Sequence, residues 1–282
     1  MSMNTSERIA VIMTVHDRKA KTMNCLKQLF TNVQSNFIID CYITDDGCTD
    51  GTVEAVTETY PQVKIISGNG LLFWNRGMLK AWQAACLDKP SYYLWLNDDT
   101  LLFDNALSRL MIASKKFEDK CIIVGSTCDN SGNLTYGGRE YNRKHSIVNP
   151  DDKHCIPCKT FNGNIVLIPG AIADKIGLND PYFHHSFGDI EYGLRATKAG
   201  VNIYIAPGFY GTCERNNPIP LFRRAKYSLV ERYKLLYSPL GFNPCEDFYL
   251  NAKYYPLWKC CLWFVKLHLN VLFPKDHTKF EK

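Results

Sequence analysis

The chain contains no run of about eighteen uncharged apolar residues, so no membrane-spanning helix is expected. Its first residues, Met1 to Arg8, are polar and hold no apolar segment, which argues against a secretory signal. Glycine-rich phosphate cradles are missing as well. There is no P-loop, and Gly68-Asn69-Gly70 runs on into Leu71-Leu72-Phe73, so the GxGxxG dinucleotide fingerprint is not formed. Charge of one sign is scarce. A net charge of +5 over 282 residues is too weak and too dispersed for a nucleic-acid surface. It suits a negatively charged ligand or an anionic membrane surface.

Cysteine is plentiful, but the twelve lack a pattern. Most sit in apolar runs (Cys25, Cys41, Cys86, Cys121, Cys260, Cys261), where buried free thiols are common. A disulfide framework belongs to short secreted chains. The sequence therefore reads as a cytoplasmic protein with reduced cysteines. The one CxxC, Cys155-Ile156-Pro157-Cys158, has no second ligand pair at a zinc spacing. What remains, 46% hydrophobic and 22% charged, is the composition of one large α/β domain or two small ones.

The order of the apolar runs carries the fold. Ile9–Val15, Phe37–Thr44, Val63–Ser67 and Tyr92–Leu96 read as buried strands. Helical periodicity over 19–32, 52–59 and 75–88 separates them. Strand–helix alternation of this kind predicts a mostly parallel, doubly wound sheet flanked by helices. Beyond it, the spacing predicts helices over 104–117, 171–177 and 189–199, and strands over 121–126, 165–168 and 201–206. Residues 127–160 are polar and glycine-rich and read as an insertion or flap, with Tyr136 and Tyr141 in a hairpin. A basic, aromatic helix is expected over 221–237. The organisation expected is a domain over 1–215, with a nucleotide-binding half over 1–100 and an acceptor half over 101–215. A helical extension follows over 216–282.

Each loop after a parallel strand lands on one edge of the sheet, where ligands of open α/β sheets bind. That edge should gather Asp17, Asp45, Asp46, Asn69, Arg76, Asp98 and Asp99. The strand Tyr92–Leu96 ends in Asn97-Asp98-Asp99. Two adjacent carboxylates repel unless a positive charge neutralises them, and a hard divalent cation carrying phosphates does so. The plainer reading is a turn in which Asp99 or Thr100 caps the next helix. Asp189 falls in the first turn of its helix, as a capping acid would. Glu191 and Arg195 stand four apart, as a helix ion pair would. His184 and His185 read equally well as substrate contacts or as neutral loop histidines. Residues 253–274 alternate Trp, Tyr and Leu with Lys259 and Lys266, which fits a helix lying in a bilayer interface. Packing on the core, or on a second copy of the chain as a homodimer, is the alternative.

Taken in order, these pieces resemble the family-2 glycosyltransferases of GT-A fold, particularly the bacterial rhamnosyltransferase-like members. Asp45-Asp46-Gly47-Cys48-Thr49-Asp50-Gly51-Thr52 resembles the family's DDGSTDGT signature, with Cys for Ser. Gly68-Asn69-Gly70 with Asn75-Arg76-Gly77 is similar to its third loop. Asn97-Asp98-Asp99 resembles its DxD motif, with Asn in place of the first acid. Asp189-Ile190-Glu191-Tyr192-Gly193-Leu194-Arg195 resembles its ED-x-D-L-x-L-R helix, with Gly188 where the first Glu is usual.

The resemblance implies an inverting transfer of a hexose or deoxyhexose such as rhamnose. The donor it implies is a nucleoside-diphosphate sugar, dTDP- or UDP-linked, assisted by Mg²⁺ or Mn²⁺. It assigns Asp99 to the metal, with Asp98 at the sugar or ribose and also within reach of the metal. It assigns Thr14, Val15, Asp17, Asp46, Asn69 and Arg76 to the nucleotide, and Asp189 to the catalytic base. Asn162, Gly163, Asn164, His185 and Glu191 fall on the sugar and acceptor side. The setting implied is surface-polysaccharide synthesis, such as O-antigen or capsule, with a glycan or lipid-linked acceptor and the protein peripheral at the inner face of the cell membrane. Two other readings stay open. A sugar-nucleotide pyrophosphorylase would want a Gly-rich loop where Val15-His16-Asp17-Arg18 stands. An inactive nucleotide- or sugar-binding module would account for Asn97 and Gly188.

Overall fold

The computed structural model describes residues 7–32, 37–142, 146–215 and 220–274. Its contacts divide the chain into two compact units. One comprises Met1–Pro181 and Asp189–Arg215; the other comprises Tyr182–Gly188 and the described part of Asn216–Lys282. The boundary placed at 215/216 from sequence adjoins residues 216–219, which lie outside the described residues, as do Met1 to Ser6 and the last eight positions.

The first unit is built on β1 (Glu7–Val15), α1 (Lys19–Thr31), β2 (Phe37–Asp45), α2 (Thr52–Thr59), β3 (Lys64–Ser67), α3 (Phe73–Cys86) and β4 (Tyr92–Leu96). Strands β3, β2, β1 and β4 lie side by side in that order, all parallel. The apolar runs follow from burial on both faces. In β1, Ile9, Val11, Met13 and Val15 pack with Leu26 and Leu29 of α1, while Ala10 and Ile12 pack with Met78 and Trp82 of α3. In β4, Leu94 and Leu96 join the first layer and Tyr93 and Trp95 the second.

The chain continues as β5 (Leu101–Leu102), α4 (Ala106–Lys116), β6 (Cys121–Cys128), β7 (Leu134–Tyr136), β8 (Gly138–Arg139), β9 (Ile156–Cys158), β10 (Thr160–Phe161), β11 (Ile165–Pro169), α5 (Gly170–Ile176), α6 (Gly188–Lys198) and β12 (Asn202–Thr212). The sheet extends from β4 through β11, β6 and β12 to β5. β11 runs antiparallel to both of its neighbours, β4 and β6. The region 127–160 is part of the architecture: β7 turns back on β6, and β9 pairs with β12. Tyr136 lies in that hairpin, whereas Tyr141 lies past β8. β12 is longer than the strand expected over 201–206, because irregular pairing carries it past Pro207 to Thr212.

In the second unit, the helix expected over 221–237 is broken. A single tight turn, Leu221–Arg223, precedes α7 (Leu229–Tyr237). Ser228 starts α7 with a capping box: its hydroxyl accepts from the Glu231 N–H, and Glu231 reaches back to the Ser228 N–H. α8 (Pro244–Ala252) and α9 (Leu257–Leu272) follow. Phe222, Leu236, Leu267 and Val271 form this unit's core. Among the described residues no helix is long and apolar enough to cross a membrane.

Candidate active site

β4 is buried along its whole length and delivers Asn97-Asp98-Asp99 to the carboxyl edge of the sheet. The Asn97 N–H continues the antiparallel ladder by donating to the Asn164 carbonyl at 3.1 Å. Its side-chain Oδ1 accepts from the Trp74 indole of α3 at 2.7 Å. The first position of the motif is therefore tied to α3. Asp98 turns inward and is only 5% exposed. Asp99 is half-buried, and the Cys213 thiol approaches its Oδ1 at 3.6 Å. One guanidinium nitrogen, Arg18 Nη1, sits 3.3 Å from Asp98 Oδ1 and 3.0 Å from Asp99 Oδ2.

Burial pushes the Asp98 carboxyl up to about 6, against the opposing pull of Arg18, and the neighbouring Asp99 charge pushes the same way as burial. The donor atoms are hard oxygens on adjacent residues at a ligand-binding edge, which is the set that Mg²⁺ or Mn²⁺ takes. The residues present fit such an ion, with Asp99 the more open ligand and Asp98 behind it.

The segment Asn162-Gly163-Asn164 leads into β11. Because β11 runs against β4, its beginning meets the end of β4. Gly163 donates its N–H to Asp189 Oδ2 at 3.1 Å, and Ile190 donates to Asp189 Oδ1 at 2.8 Å. Asp189 and the Asn97–Asp99 turn are thus held by adjacent residues of one segment. Gly163 is required there: a Cβ would stand 2.5 Å from the Trp74 ring and 3.2 Å from Trp95. α6 is seated by the Thr160 hydroxyl, which donates to the Ile190 carbonyl at 2.8 Å. The Asn162 Oδ1 accepts from Arg139 Nε at 2.7 Å. Asp189 is half-buried. Burial raises its pKa, opposed by the two backbone donors and by the nearby Arg139 charge.

On the β1–β3 side, Asp46 is buried and its carboxylate is already engaged. Oδ1 accepts from the N–H of Gly70 and Leu72, and Oδ2 from Phe73, which clamps the 68–73 loop. Thr14 is half-buried and lies against Gly77, where a Cβ would come 2.1 Å from its hydroxyl oxygen. Val15 is buried, and its carbonyl accepts from the Asp46 N–H. Asn69 is exposed and turns its Oδ1 onto the Leu71 N–H. Arg76 donates Nε to the Pro181 carbonyl at 2.9 Å.

Asp17, Cys48 and Asp50 place their ligand atoms within 4.8 Å of one another. The carboxylates there are spent on the chain itself. Asp17 accepts from the Thr49 N–H, while Asp50 accepts from Lys19 N at the start of α1 and Thr52 N at the start of α2. That geometry ties two loops together.

Glu191 is buried and pairs with Arg195 Nε at 3.2 and 3.1 Å, and Arg195 in turn donates to the carbonyls of Ile176 and Leu178. This is the helix ion pair, turned inward to hold the end of α5. His184 and His185 fall in the second unit, where His184 Nδ1 lies 2.6 Å from Glu246 Oε1. Sequence reasoning missed Arg18, Trp74, Arg139 and Cys213. Arg18 had a signal, the first of three cations (Arg18, Lys19 and Lys21) directly after the first strand. The other three carried none.

A sheet ordered 3-2-1-4 that ends in acids on one rim, with a further acid at a helix start on the same rim, is the layout of a GT-A-type glycosyltransferase. The profile of "Glycosyl transferase family 2" matches residues 10–164, more than half of the chain. The chain belongs to that family. Among solved structures it is similar to S. aureus TarS, with a TM-score of 0.56 and 11% identity over 96% of this chain and 44% of that one. S. aureus TarS 1–349 gives a TM-score of 0.55 and 11% identity over 97% and 72% of the two chains. At that identity the likeness is one of fold, and the chain spans less than half of the longer TarS structure. No curated protein matches it in sequence.

Proposed function

We propose that this chain is an inverting, divalent-metal-dependent glycosyltransferase. It moves a hexose or deoxyhexose from a dTDP or UDP sugar to a glycan or lipid-linked acceptor in bacterial surface-polysaccharide synthesis. The observation that carries the reading is the 162–164 segment, which touches Asp189 through Gly163 and the Asn97–Asp99 turn through Asn164.

Asp189 accepts the proton of the acceptor hydroxyl as its oxygen attacks the anomeric carbon. The bond from that carbon to the diphosphate breaks on the opposite face, its electron pair leaves with the phosphate, and the anomeric configuration inverts. The two backbone donors fix the direction in which the Asp189 carboxylate points, which serves general-base work through geometry. Asp99 and Asp98 would hold the metal, which would supply Lewis-acid stabilisation to the departing diphosphate. Thr14, Val15, Asp17, Asn69 and Arg76 line the nucleotide side, and Asp46 acts by holding the loop that carries Asn69. Asn162, Gly163 and Asn164 face the acceptor.

In this reading the first 100 residues serve the donor, 101–215 the acceptor, and the C-terminal extension meets the inner surface of the cell membrane through residues 253–274. The exposed apolar side chains of α9 support that last point. Asp189→Asn is the deciding variant. Turnover is expected to fall by about 10²- to 10⁴-fold with nucleotide affinity essentially unchanged. Affinity lost in parallel with turnover, measured by calorimetry beside the kinetics, would assign Asp189 to the fold instead.

A further inference from the structure

We propose that Arg18 is an exchangeable cation. It closes the Asp98–Asp99 pair until a divalent ion displaces it, and it then grips the phosphates that arrive with the ion. The inference rests on the metal-dependent reading above and adds a residue that the reading does not use.

Four observations carry it. A single nitrogen, Arg18 Nη1, spans both acids, at 3.3 Å from Asp98 Oδ1 and 3.0 Å from Asp99 Oδ2. Among the described residues the guanidinium hydrogen-bonds to these two carboxylates alone. Its side chain is 46% exposed while those of its partners are 8% and 21% exposed, so the cation can swing away while the acids stay fixed. Arg18 also stands at the N-terminal boundary of α1 without capping it through its side chain, so the helix does not hold the guanidinium in place.

A divalent ion binds carboxylate oxygens at about 2.0–2.6 Å. An ion bridging Asp98 Oδ1 and Asp99 Oδ2 would claim the position that Arg18 Nη1 now holds between the same two oxygens. Seating the ion therefore expels Arg18. The freed guanidinium is a planar fork of donors that matches phosphate oxygens. A diphosphate bridged to the ion brings those oxygens within its reach. No bond is made or broken in the exchange; one counter-ion replaces another, and the first moves to the incoming anion. Ion and diphosphate should accordingly bind together much better than the ion binds alone.

The test uses the full chain, Mn²⁺ alone and inorganic pyrophosphate. Free Mn²⁺ is followed by electron paramagnetic resonance in titrations of wild type, Arg18→Gln and Arg18→Lys. Arg18→Gln removes the competitor and should bind Mn²⁺ alone about tenfold more tightly than wild type, while Arg18→Lys should stay near wild type. With Mn²⁺ saturating, both variants should bind pyrophosphate about tenfold more weakly, because neither has the fork.

Equal or weaker Mn²⁺ binding by Arg18→Gln overturns the exchange while leaving the metal reading intact. Unchanged pyrophosphate binding by both variants overturns the phosphate role. Absence of Mn²⁺ binding in every protein, wild type included, overturns the metal reading and the exchange together. Should Arg18→Gln fail to fold by circular dichroism, the Arg18→Lys pyrophosphate titration decides the phosphate role, and wild-type Mn²⁺ affinity that is no tighter with saturating pyrophosphate than without it overturns the exchange.

Discussion

Asp189 is placed by two backbone N–H groups, so its orientation is set by the chain and its protonation by its surroundings. Burial raises its pKa. A base must be ionised to accept a proton, so the acid limb of the pH–rate profile should lie above the ordinary carboxylate range, and activity should fall as pH drops through the raised value. The same shift acts on stability with the opposite sense. A carboxyl that holds its proton more tightly when folded stabilises the fold below its unfolded pKa, and that contribution is lost as pH rises through the folded value. Melting temperatures of wild type and Asp189→Asn, followed across pH 4 to 7, should therefore diverge as pH rises, with the variant the more stable at the upper end; parallel curves would contradict it. Gly163 offers a second residue-scale test. Gly163→Ala drives a Cβ to 2.5 Å from the Trp74 ring, which also anchors Asn97. Overpacking of this kind costs about 1–3 kcal/mol, and denaturant unfolding should detect it together with a drop in kcat. The acids were legible because carboxylates after an apolar strand stand out. Arg139 and Trp74 were not, because a long-range hydrogen bond leaves no trace in local spacing.

At the scale of elements, legibility follows burial. β4 and β1 from Ile9 onward are covered on both faces and appear in the sequence as apolar runs, and β2 is buried from Cys41 to Thr44 despite Asp40 and the exposed Ile38 before it; all three were read to within a residue or two. β7 through β10 are two or three residues long, too short for any period to register, and the sequence there reads as loop. The expected helix over 221–237 failed because a start signal inside it went unread: Ser228 with Glu231 three residues on is a capping box, which begins a helix at 229. α9 makes its own prediction. Trp258, Leu262, Val265, Leu269 and Leu272 are each at least 44% exposed, and they recur at alternating intervals of four and three on one side of the helix. Between 220 and 274 the chain has eight Lys or Arg and three Asp or Glu, and of the three acids Glu246 and Asp247 are buried. Charge presented to solvent there is overwhelmingly positive, which favours an anionic bilayer over self-pairing. Leu262→Gln with Leu269→Gln should abolish flotation with anionic liposomes while leaving the melting temperature nearly unchanged; flotation equal to wild type would remove the membrane contact.

For the whole molecule, the family match covers 10–164, while the acid at 189 lies beyond it. The match thus takes in nearly all of the half proposed to serve the donor, together with Asn162 to Asn164, and leaves out the proposed base. Nucleotide screening tests the donor side. A dTDP or UDP ligand with Mn²⁺ at about 100 times its Kd should stabilise the fold by about 2.7 kcal/mol. GDP and CMP serve as the controls, and a thermal shift equal for all four, or seen with none, would argue against a dTDP or UDP donor.

The reversed direction of β11 has a further consequence. A strand laid against its neighbours offers its start where they offer their ends, so the peptide leading into β11 arrives at the rim directly from the 129–161 excursion. None of the strands in that excursion pairs with β3, β2, β1 or β4. Under the proposed function, chimaeras that trade only this stretch between relatives should change the acceptor used and leave the donor unchanged, which a donor and acceptor screen of the chimaeras would check.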